Sequence, residues 1–452
     1  ETRHNGDRVS PRRYPDPLAP TNEATIPAEH AAQRLNTTFW LSVNVPPHTR
    51  AGVYRTVAHC LVNGTAEVSI PVKLRVFDFT LPVKTHMRFG LFTQNGNSLE
   101  RHIAWAKDLA DHRICMGVPF YKDLNRVIRG GDFSEAAYSE ALGPEMQHSL
   151  VTLGRKYIEW GFNTMGVMPW SDVYRIYRGQ EGGEEGIARF WAAYYPVLQE
   201  NGWVASTYAR VPDEIPADKI IIARRTADLL RQHAPGIAIM VTSLSDSDPT
   251  KLSNAIGIAD IWTPNTRYMA RCVDFYRERM QAGEEVWPYI HRFTFHVNDP
   301  MGHRLFFWIL EKYGFGGTTY WNIGPRGEYT HTWYGIKRVD TAIPGDGSLY
   351  YPGETPDGIL NVWHCARLAR FRDGIEDREY FRLMNRLAGE LNRAGKLTPD
   401  LADRVTAANM YPEEITYSVR NFPHAPRRLR ELRENIAQLI TDLKHQRGGD
   451  SM

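Results

Sequence analysis

The sequence predicts an α/β fold whose main body is an eightfold β/α barrel of the TIM type, and two observations lead to this prediction. Short β-like runs alternate with amphipathic helical stretches about eight times between residues 85 and 323, and such a barrel requires this number of units. No glycine-rich phosphate-binding fingerprint follows the first run, so a doubly wound open sheet is the less favoured α/β alternative.

The predicted strands of this body share a short apolar run bounded by polar or turn-forming residues. They lie at 87–92, 114–119, 164–170, 204–211, 237–243, 258–264, 286–293 and 317–323. The helical stretches between them share apolar residues at intervals of three and four positions. The clearest lie at 99–112, 144–160, 186–201, 217–233 and 266–282.

The two ends of the chain carry other patterns. Residues 1–84 predict an arm and then a short β-sandwich-like region, because Asn63-Gly64 is a strong hairpin signal between alternating runs at 53–58, 66–70 and 72–77. The predicted barrel domain covers 85–392 and ends with a long helix. Residues 393–452 predict a helical tail, in which Thr398 and Pro399 have the residue types that begin a helix.

The composition excludes several classes of protein. The 54 Lys+Arg and 52 Asp+Glu leave a net charge of +2, whereas nucleic-acid binders usually carry a basic excess, so we expect no nucleic-acid partner. No apolar run reaches the ~20 residues of a membrane span. Residues 1–5 lack the apolar stretch of a signal peptide, which predicts a cytoplasmic protein unless a leader was removed from an exported or periplasmic one.

The sequence predicts neither a metal site nor a cofactor. The four cysteines are far apart and show neither zinc-site nor redox spacing; they are Cys60, Cys115, Cys272 and Cys365. The histidines near the later strands also lack metal-site spacing; they are His296, His303 and His331. No Walker loop, nucleophile elbow or kinase motif is present.

The first candidates for catalysis are two adjacent carboxylates, Asp213 and Glu214, directly after the strand predicted at 204–211. Catalytic groups of a β/α barrel lie where strands end and loops begin. Both can meet one substrate only if the chain has left the strand, which Pro212 favours because it cannot donate a hydrogen bond to the sheet. The alternative is that both cap the helix near Ala217, a common role of acidic residues.

Aromatic and polar residues at other predicted strand ends favour a carbohydrate site. They are Trp170, Trp262, Asn265, Tyr289, His291, Trp321 and Asn322. Each tryptophan alone is better explained by core packing, but three at strand ends favour a cleft in which flat apolar faces meet sugar rings. His291 alone is more commonly a hydrogen-bonded structural residue than a ligand.

Three stretches of the chain carry a family resemblance. They are 45–54 with 76–82, then Pro212-Asp213-Glu214 with Pro216, and lastly 349–353 with Arg367 and 372–380. In this order they resemble the catalytic region of glycoside hydrolase family 123, whose founding activity is a β-N-acetylgalactosaminidase. The chain departs from the family pattern in a shortened N-terminal sandwich and in Ile215, which separates Glu214 from its proline.

The resemblance implies hydrolysis of a β-linked N-acetylhexosamine, in particular N-acetylgalactosamine, from an oligosaccharide or glycoconjugate. It implies substrate-assisted retention, in which the 2-acetamido oxygen of the sugar attacks the anomeric carbon. Glu214 would protonate the leaving oxygen and later deprotonate water, and Asp213 would orient the acetamido N–H. Tyr289 is the candidate to bind the acetamido oxygen, and Trp170, Trp262 and Trp321 would stack on sugar faces.

Two other functions stay open. One is a glycosidase that acts on a sugar without the acetamido group, for which Asp172 and Glu328 are the candidate nucleophiles. The other is a non-catalytic carbohydrate-binding protein. Arg367, Arg372, Asp373, Glu376 and Asp377 are expected to be structural, because Arg372/Glu376 and Asp373/Asp377 are i,i+4 neighbours on a helix. The alternative is that they form a charged rim of the active site.

Overall fold

The computed structural model describes residues 40–62, 65–91, 99–116, 150–167, 169–242, 249–269, 271–290, 300–320, 323, 349–351, 363–416 and 426–448. The described residues form two compact units. The first unit holds those of Val83–Ile375 together with Thr416, and the second holds those of Thr25–Pro82, Glu376–Ile415 and His424–Met452. The hairpin region and the C-terminal helices, which were predicted as separate regions, thus fall into one unit. The predicted boundaries near 84 and 392 stay predictions.

The strands of the first unit are short and mostly parallel. In chain order they are β3 (Arg88–Leu91), β4 (Met165–Gly166), β5 (Thr207–Arg210), β6 (Ala238–Thr242), β7 (Ile261–Thr263), β8 (Glu285–Val286), β9 (Tyr289–Ile290), β10 (Gly317–Tyr320), β11 (Tyr350–Tyr351) and β12 (Trp363–His364). Five of them form a parallel sheet in the order β4-β5-β6-β7-β8, and three form another in the order β3-β10-β9. The antiparallel pair β11-β12 stands apart from both.

The two parallel sheets share one run of chain. Only Trp287 and Pro288 separate β8, which pairs with β7, from β9, which pairs with β10. Proline has no N–H to donate, which accounts for the interruption. The fold is therefore mixed α/β, as predicted. The run predicted at 114–119 forms no strand in its described part, 114–116, so the closed barrel stays a prediction.

Helices follow most of these strands, close to their predicted positions. They are α1 (Leu99–Asp111), α2 (Leu150–Glu159), α3 (Trp170–Tyr177), α4 (Gly183–Glu200), α5 (Ile220–His233), α6 (Pro249–Leu252), α7 (Thr266–Met269), α8 (Val273–Gln281), α9 (Pro300–Tyr313) and α10 (Ala366–Arg393). The stretch predicted as one helix at 266–282 forms two, α7 and α8. No described helix combines the length and the apolar character needed to span a lipid bilayer.

The five-stranded sheet buries apolar side chains on both faces, as parallel sheets do. The layer facing the helices includes Ala209, Ile239, Val241, Trp262 and Val286. The opposite layer consists of Tyr208, Met240, Ile261 and Trp287. Gly166 in β4 and Gly317 in β10 leave space for the rings of this opposite layer. A Cβ at Gly166 would lie 2.4 Å from Oη of Tyr208, and a Cβ at Gly317 would lie 2.8 Å from the Trp287 ring.

The second unit contains the hairpin β1 (Gly52–Val62) and β2 (Thr65–Val76). The two strands pair antiparallel up to Val62 and Thr65, so the predicted hairpin is confirmed, although β2 is one strand where two were predicted. Arg75 at its base pairs with Glu434 at 2.9 Å. Within the described ranges no further strand pairs with the hairpin, and the β-sandwich stays a prediction.

The remaining elements of the second unit are helical, as predicted for the tail. They are the last part of α10, then α11 (Pro399–Ala408), α12 (Glu413–Thr416) up to Ile415, and α13 (Pro426–Gly448). Thr398 is the N-cap residue of α11 and Pro399 lies in its first turn, as expected. Glu376 and Asp377 of α10 contact Arg433 of α13 at 3.4 and 3.1 Å, so charged residues of the family-like stretch pair between helices.

Candidate active site

The turn that follows β5 carries the two predicted carboxylates. Pro212 is buried, and Asp213 and Glu214 are exposed in the turn before the 3-10 helix Ala217–Lys219. The chain has left the strand here, so strand alternation no longer directs the two side chains to opposite faces. Helix α5 has Lys219 as its N-cap residue, and the hydrogen bonds and ion pairs of both carboxylates go elsewhere. The capping alternative is therefore not supported.

Glu214 has an unusual backbone conformation. Its φ is 44°, in the left-handed region, which disfavours a residue with a Cβ by roughly 1–2 kcal/mol. Ile215, which follows it, is fully buried and anchors the turn. Non-glycine residues held in this region are found preferentially at functional sites, where packing around them maintains the strain.

A chain of two hydrogen bonds holds the side chain of Glu214. The Tyr289 hydroxyl donates to Oε1 of Glu214 at 2.8 Å, and Nδ2 of Asn265 donates to the Tyr289 hydroxyl at 2.8 Å. Asn265 follows β7, Tyr289 begins β9, and the two residues also form a parallel β-bridge. Residues that follow β5 and β7 and the first residue of β9 thus come together in this chain of hydrogen bonds.

The hydroxyl of Tyr289 is a permanent donor in this arrangement. Burial, followed by the charge of Glu214 and the hydrogen bond to it, raises the pKa of Tyr289 far above its ordinary value. The phenol has one proton, and Glu214 receives it. The predicted hydrogen bond from Tyr289 to an acetamido oxygen would need the same proton, so it stays a prediction that this geometry does not favour.

Arg210, the last residue of β5, fixes the second carboxylate. Its guanidinium is buried, and its Nη2 lies 3.3 Å from Oδ2 of Asp213. The Asp213 side chain is 38% exposed, so it reaches the surface while one oxygen faces a positive charge. The signal in the sequence for this partner is a charged residue, Arg210, at the end of an otherwise uncharged strand.

Tyr174 of α3 is a further aromatic residue near the carboxylates, and it was missed. Burial, and after it the charge of Asp213, raises the pKa of Tyr174, which places the two groups within electrostatic reach. The ring is 37% exposed and also contacts Tyr177 and the Arg178 guanidinium. Exposed rings near charged groups suit the apolar faces of sugars.

Two of the predicted tryptophans do not lie as expected. Trp262 is 2% exposed, packs against Phe275 and Tyr276 of α8, and donates its indole N–H to Glu284. Trp262 belongs to the layer that faces the helices, because its neighbour on β7, Ile261, lies in the opposite layer. This packing argues against a sugar contact. Trp170 is the first residue of α3 and does not end a strand, since Pro169 precedes it as the N-cap residue.

The other candidates divide into two groups. His291, Trp321, Asn322 and the alternative nucleophile Glu328 lie outside the described residues. Asp172 is buried in the first turn of α3, where its carboxyl fills the space beside Gly186: a Cβ there would lie 2.4 Å from Cγ of Asp172. This packing against α4 is typical of a structural carboxylate.

Comparison with known proteins yields one family match. Residues 150–384, that is 235 of the 452, match the model described as the catalytic domain of glycoside hydrolase 123. The matched range contains the turn after β5 and both of its carboxylates. No curated protein matches the chain.

Solved structures of glycoside hydrolases show distant similarity. A family 123 glycoside hydrolase from Clostridium perfringens, studied for glycolipid glycan hydrolysis, is 14% identical with a TM-score of 0.48 over 90% of this chain and 78% of its own. A family 5 mannosidase from Rhizomucor miehei is 12% identical with a TM-score of 0.29 over 63% of this chain and 78% of its own.

Proposed function

Because the chain belongs to glycoside hydrolase family 123, we propose that it hydrolyses β-linked N-acetylhexosaminides, with N-acetylgalactosamine as the first sugar to test. The mechanism is substrate-assisted retention, in which the acetamido oxygen of the sugar is the nucleophile. The observation that carries the proposal is the hydrogen bond between Tyr289 and Glu214 at 2.8 Å, which gives one member of the adjacent carboxylate pair a fixed orientation.

Glu214 is the general acid and base of this mechanism. The Tyr289 hydroxyl holds Oε1, and among the described residues Oε2 has no hydrogen-bond partner. The acidic proton is thereby directed to Oε2, which faces the leaving oxygen and, in the second step, water. A positioned acid or base of this kind typically contributes ~10²–10⁴-fold to the rate.

Asp213 stabilises the positive charge that develops on the acetamido group. Arg210 holds Oδ2 at 3.3 Å, which leaves Oδ1 to accept the acetamido N–H. The arginine and the aspartate neutralise each other in the free enzyme, so the substrate meets a fixed dipole whose negative end is at the surface. Preorganised charge of this kind stabilises a transition state more than a neutral ground state.

The first experiment is a panel of nitrophenyl glycosides. Cleavage of N-acetylated β-glycosides only, with inhibition by a thiazoline analogue of the intermediate, is the expected result. Cleavage of sugars without the acetamido group would contradict the mechanism and would favour a separate nucleophile. No cleavage of any glycoside by the folded protein would favour a non-catalytic carbohydrate-binding protein.

The second experiment tests the role of Glu214. Glu214→Gln is expected to lower kcat by ~10²–10⁴-fold on substrates with poor leaving groups and far less on activated aryl glycosides, because an activated phenol needs little protonation. Equal losses on both substrate types would exclude Glu214 as the acid.

The third experiment tests Asp213. Asp213→Asn is expected to lower kcat and kcat/KM together, because the activation free energy should rise by a few kcal/mol. KM should change little, because the ground-state acetamide is neutral. Azide should not restore activity, since the attacking group belongs to the substrate. A glycosyl azide product from Asp213→Gly would identify Asp213 as a covalent nucleophile and contradict the mechanism.

A further inference from the structure

A second cluster of polar side chains lies in the first unit, on elements other than those that carry Glu214, Asn265 and Tyr289. Asp108 and His112 lie in and directly after the last turn of α1, and Tyr350 and His364 lie on β11 and β12. The Asp108 carboxylate is the centre of this Asp108 cluster. Its Oδ1 lies 3.2 Å from Nδ1 of His364 and 3.6 Å from Nδ1 of His112, and the Tyr350 hydroxyl donates to its Oδ2 at 2.7 Å.

The cluster leaves one buried nitrogen without a partner. His112 is 4% exposed, and its Nε2 has no hydrogen-bond partner among the described residues. Its Nδ1 contacts the backbone oxygen of Asp108 at 2.7 Å, which also accepts the backbone N–H of His112. An unsatisfied buried polar atom is rare in proteins and indicates an ion or water that completes the site.

We infer that Asp108, His112 and His364 form a binding site for a divalent transition-metal ion such as Zn²⁺. Each residue offers one ligand atom, and the three atoms lie within 4.8 Å of one another. Tetrahedral Zn²⁺ with ligands at 2.0–2.2 Å separates them by roughly 3.3–3.6 Å. The 3.2 Å that separates Asp108 Oδ1 from Nδ1 of His364 is close to this spacing, and His112 offers Nε2, which has no hydrogen-bond partner among the described residues.

The surroundings provide the support that metal ligands usually have. Ligating carboxylates accept a second hydrogen bond that fixes their orientation, and Tyr350 supplies it to Oδ2 of Asp108. Nδ1 of His112 contacts the backbone oxygen of Asp108, as the second ring nitrogen of a metal-ligating histidine usually contacts a carbonyl or carboxylate oxygen. Three protein ligands leave a fourth position for water. The ion joins α1 to the β11-β12 pair, which are far apart in the sequence.

The test uses the full chain after removal of metals with a chelator. Isothermal titration calorimetry with Zn²⁺ is expected to give one site per chain. In thermal unfolding, the melting temperature is expected to rise by a few degrees at saturating Zn²⁺. His364→Ala is expected to weaken binding at least about tenfold. His233→Ala, which changes a histidine at the end of α5, should bind as the unchanged protein does.

A second variant covers the case in which His364→Ala does not fold. Asp108→Asn keeps the shape and the hydrogen bond from Tyr350 but removes the anionic ligand, and it should also lose Zn²⁺ affinity. Cobalt offers a spectroscopic check, because four-coordinate Co²⁺ absorbs strongly in the visible and the band should vanish in either variant. No Zn²⁺ binding by the unchanged protein, or equal binding by the folded variants, would overturn the proposal. Hydrolysis of the glycoside panel reports on a different site, so the two proposals can fail separately.

Discussion

Removing the hydroxyl of Tyr289 is expected to impair both turnover and stability through two separate hydrogen bonds. In Tyr289→Phe the ring stays in place, Glu214 loses the donor that holds Oε1, and Nδ2 of Asn265 loses an acceptor. Tyr289 and Asn265 are 4% and 6% exposed, so the amide is left in a place that water does not reach easily. Glu214 is exposed, and water can replace the lost donor there.

The magnitude follows from this difference in burial. Loss of a hydrogen bond between two buried groups destabilises the folded state by about 1 kcal/mol, and the bond to the exposed Glu214 contributes less. We therefore expect the free energy of unfolding to fall by about 1 kcal/mol. Turnover should fall by about 10- to 100-fold, since a misplacement of about 1 Å at a reacting group can lower the rate by about 10²-fold.

Urea unfolding and steady-state kinetics on an N-acetylated glycoside measure the two effects. Tyr157→Phe is the matched control, because its buried hydroxyl has no hydrogen-bond partner in the described part of the chain, and its removal should be neutral or stabilising. In the Glu214→Gln background, Tyr289→Phe should lower kcat little further, because it acts through the carboxyl. A folded Tyr289→Phe variant with kcat within about twofold of the unchanged enzyme would refute the reasoning.

Two further predictions concern stability alone. Asp377→Asn is expected to lower the free energy of unfolding by about 2 kcal/mol, because the buried carboxylate pairs with the partly exposed Arg433 at 3.1 Å. Activity per folded molecule should not change. A variant that melts as the unchanged protein does but loses activity would contradict a structural role. Gly166→Ala is expected to destabilise by about 3 kcal/mol, because its Cβ would overlap the buried ring of Tyr208. Gly389→Ala in α10, where a Cβ meets nothing within 4 Å, should stabilise slightly, and equal melting temperatures for the two glycine variants would show that the ring yields.

The order of the elements could be predicted because hydrophobic periodicity depends on neighbours in the chain. Periodicity located the strands β5 to β8, and the residue types of Asn63-Gly64 predicted that β1 and β2 pair as a hairpin. It could not tell which face of a strand a residue occupies, so Trp262 was assigned to the site although its indole packs under α8. Burial on both faces makes the two faces of a parallel strand alike in sequence.

The candidate site was predictable in its residue types and not in its contacts. Asp213 and Glu214 stand at a strand end, which the sequence indicates directly. The hydroxyl of Tyr289 can bind either a substrate or a neighbouring side chain, and only the three-dimensional arrangement decides this. The Asp108 cluster joins histidines from two distant segments, His112 and His364, so no spacing rule could find it.

The left-handed backbone of Glu214 has a consequence for how such a protein changes over evolutionary time. Glycine or asparagine at this position would relieve roughly 1 kcal/mol of backbone strain and at the same time abolish the proposed proton transfer. Loss of the proposed catalysis by this route would make the fold more stable, so the need for a stable fold does not oppose the substitution once selection for turnover is relaxed. A glutamate that persists at position 214 among relatives therefore indicates continued selection for chemistry, whereas glycine or asparagine there would mark lineages that kept the scaffold for binding.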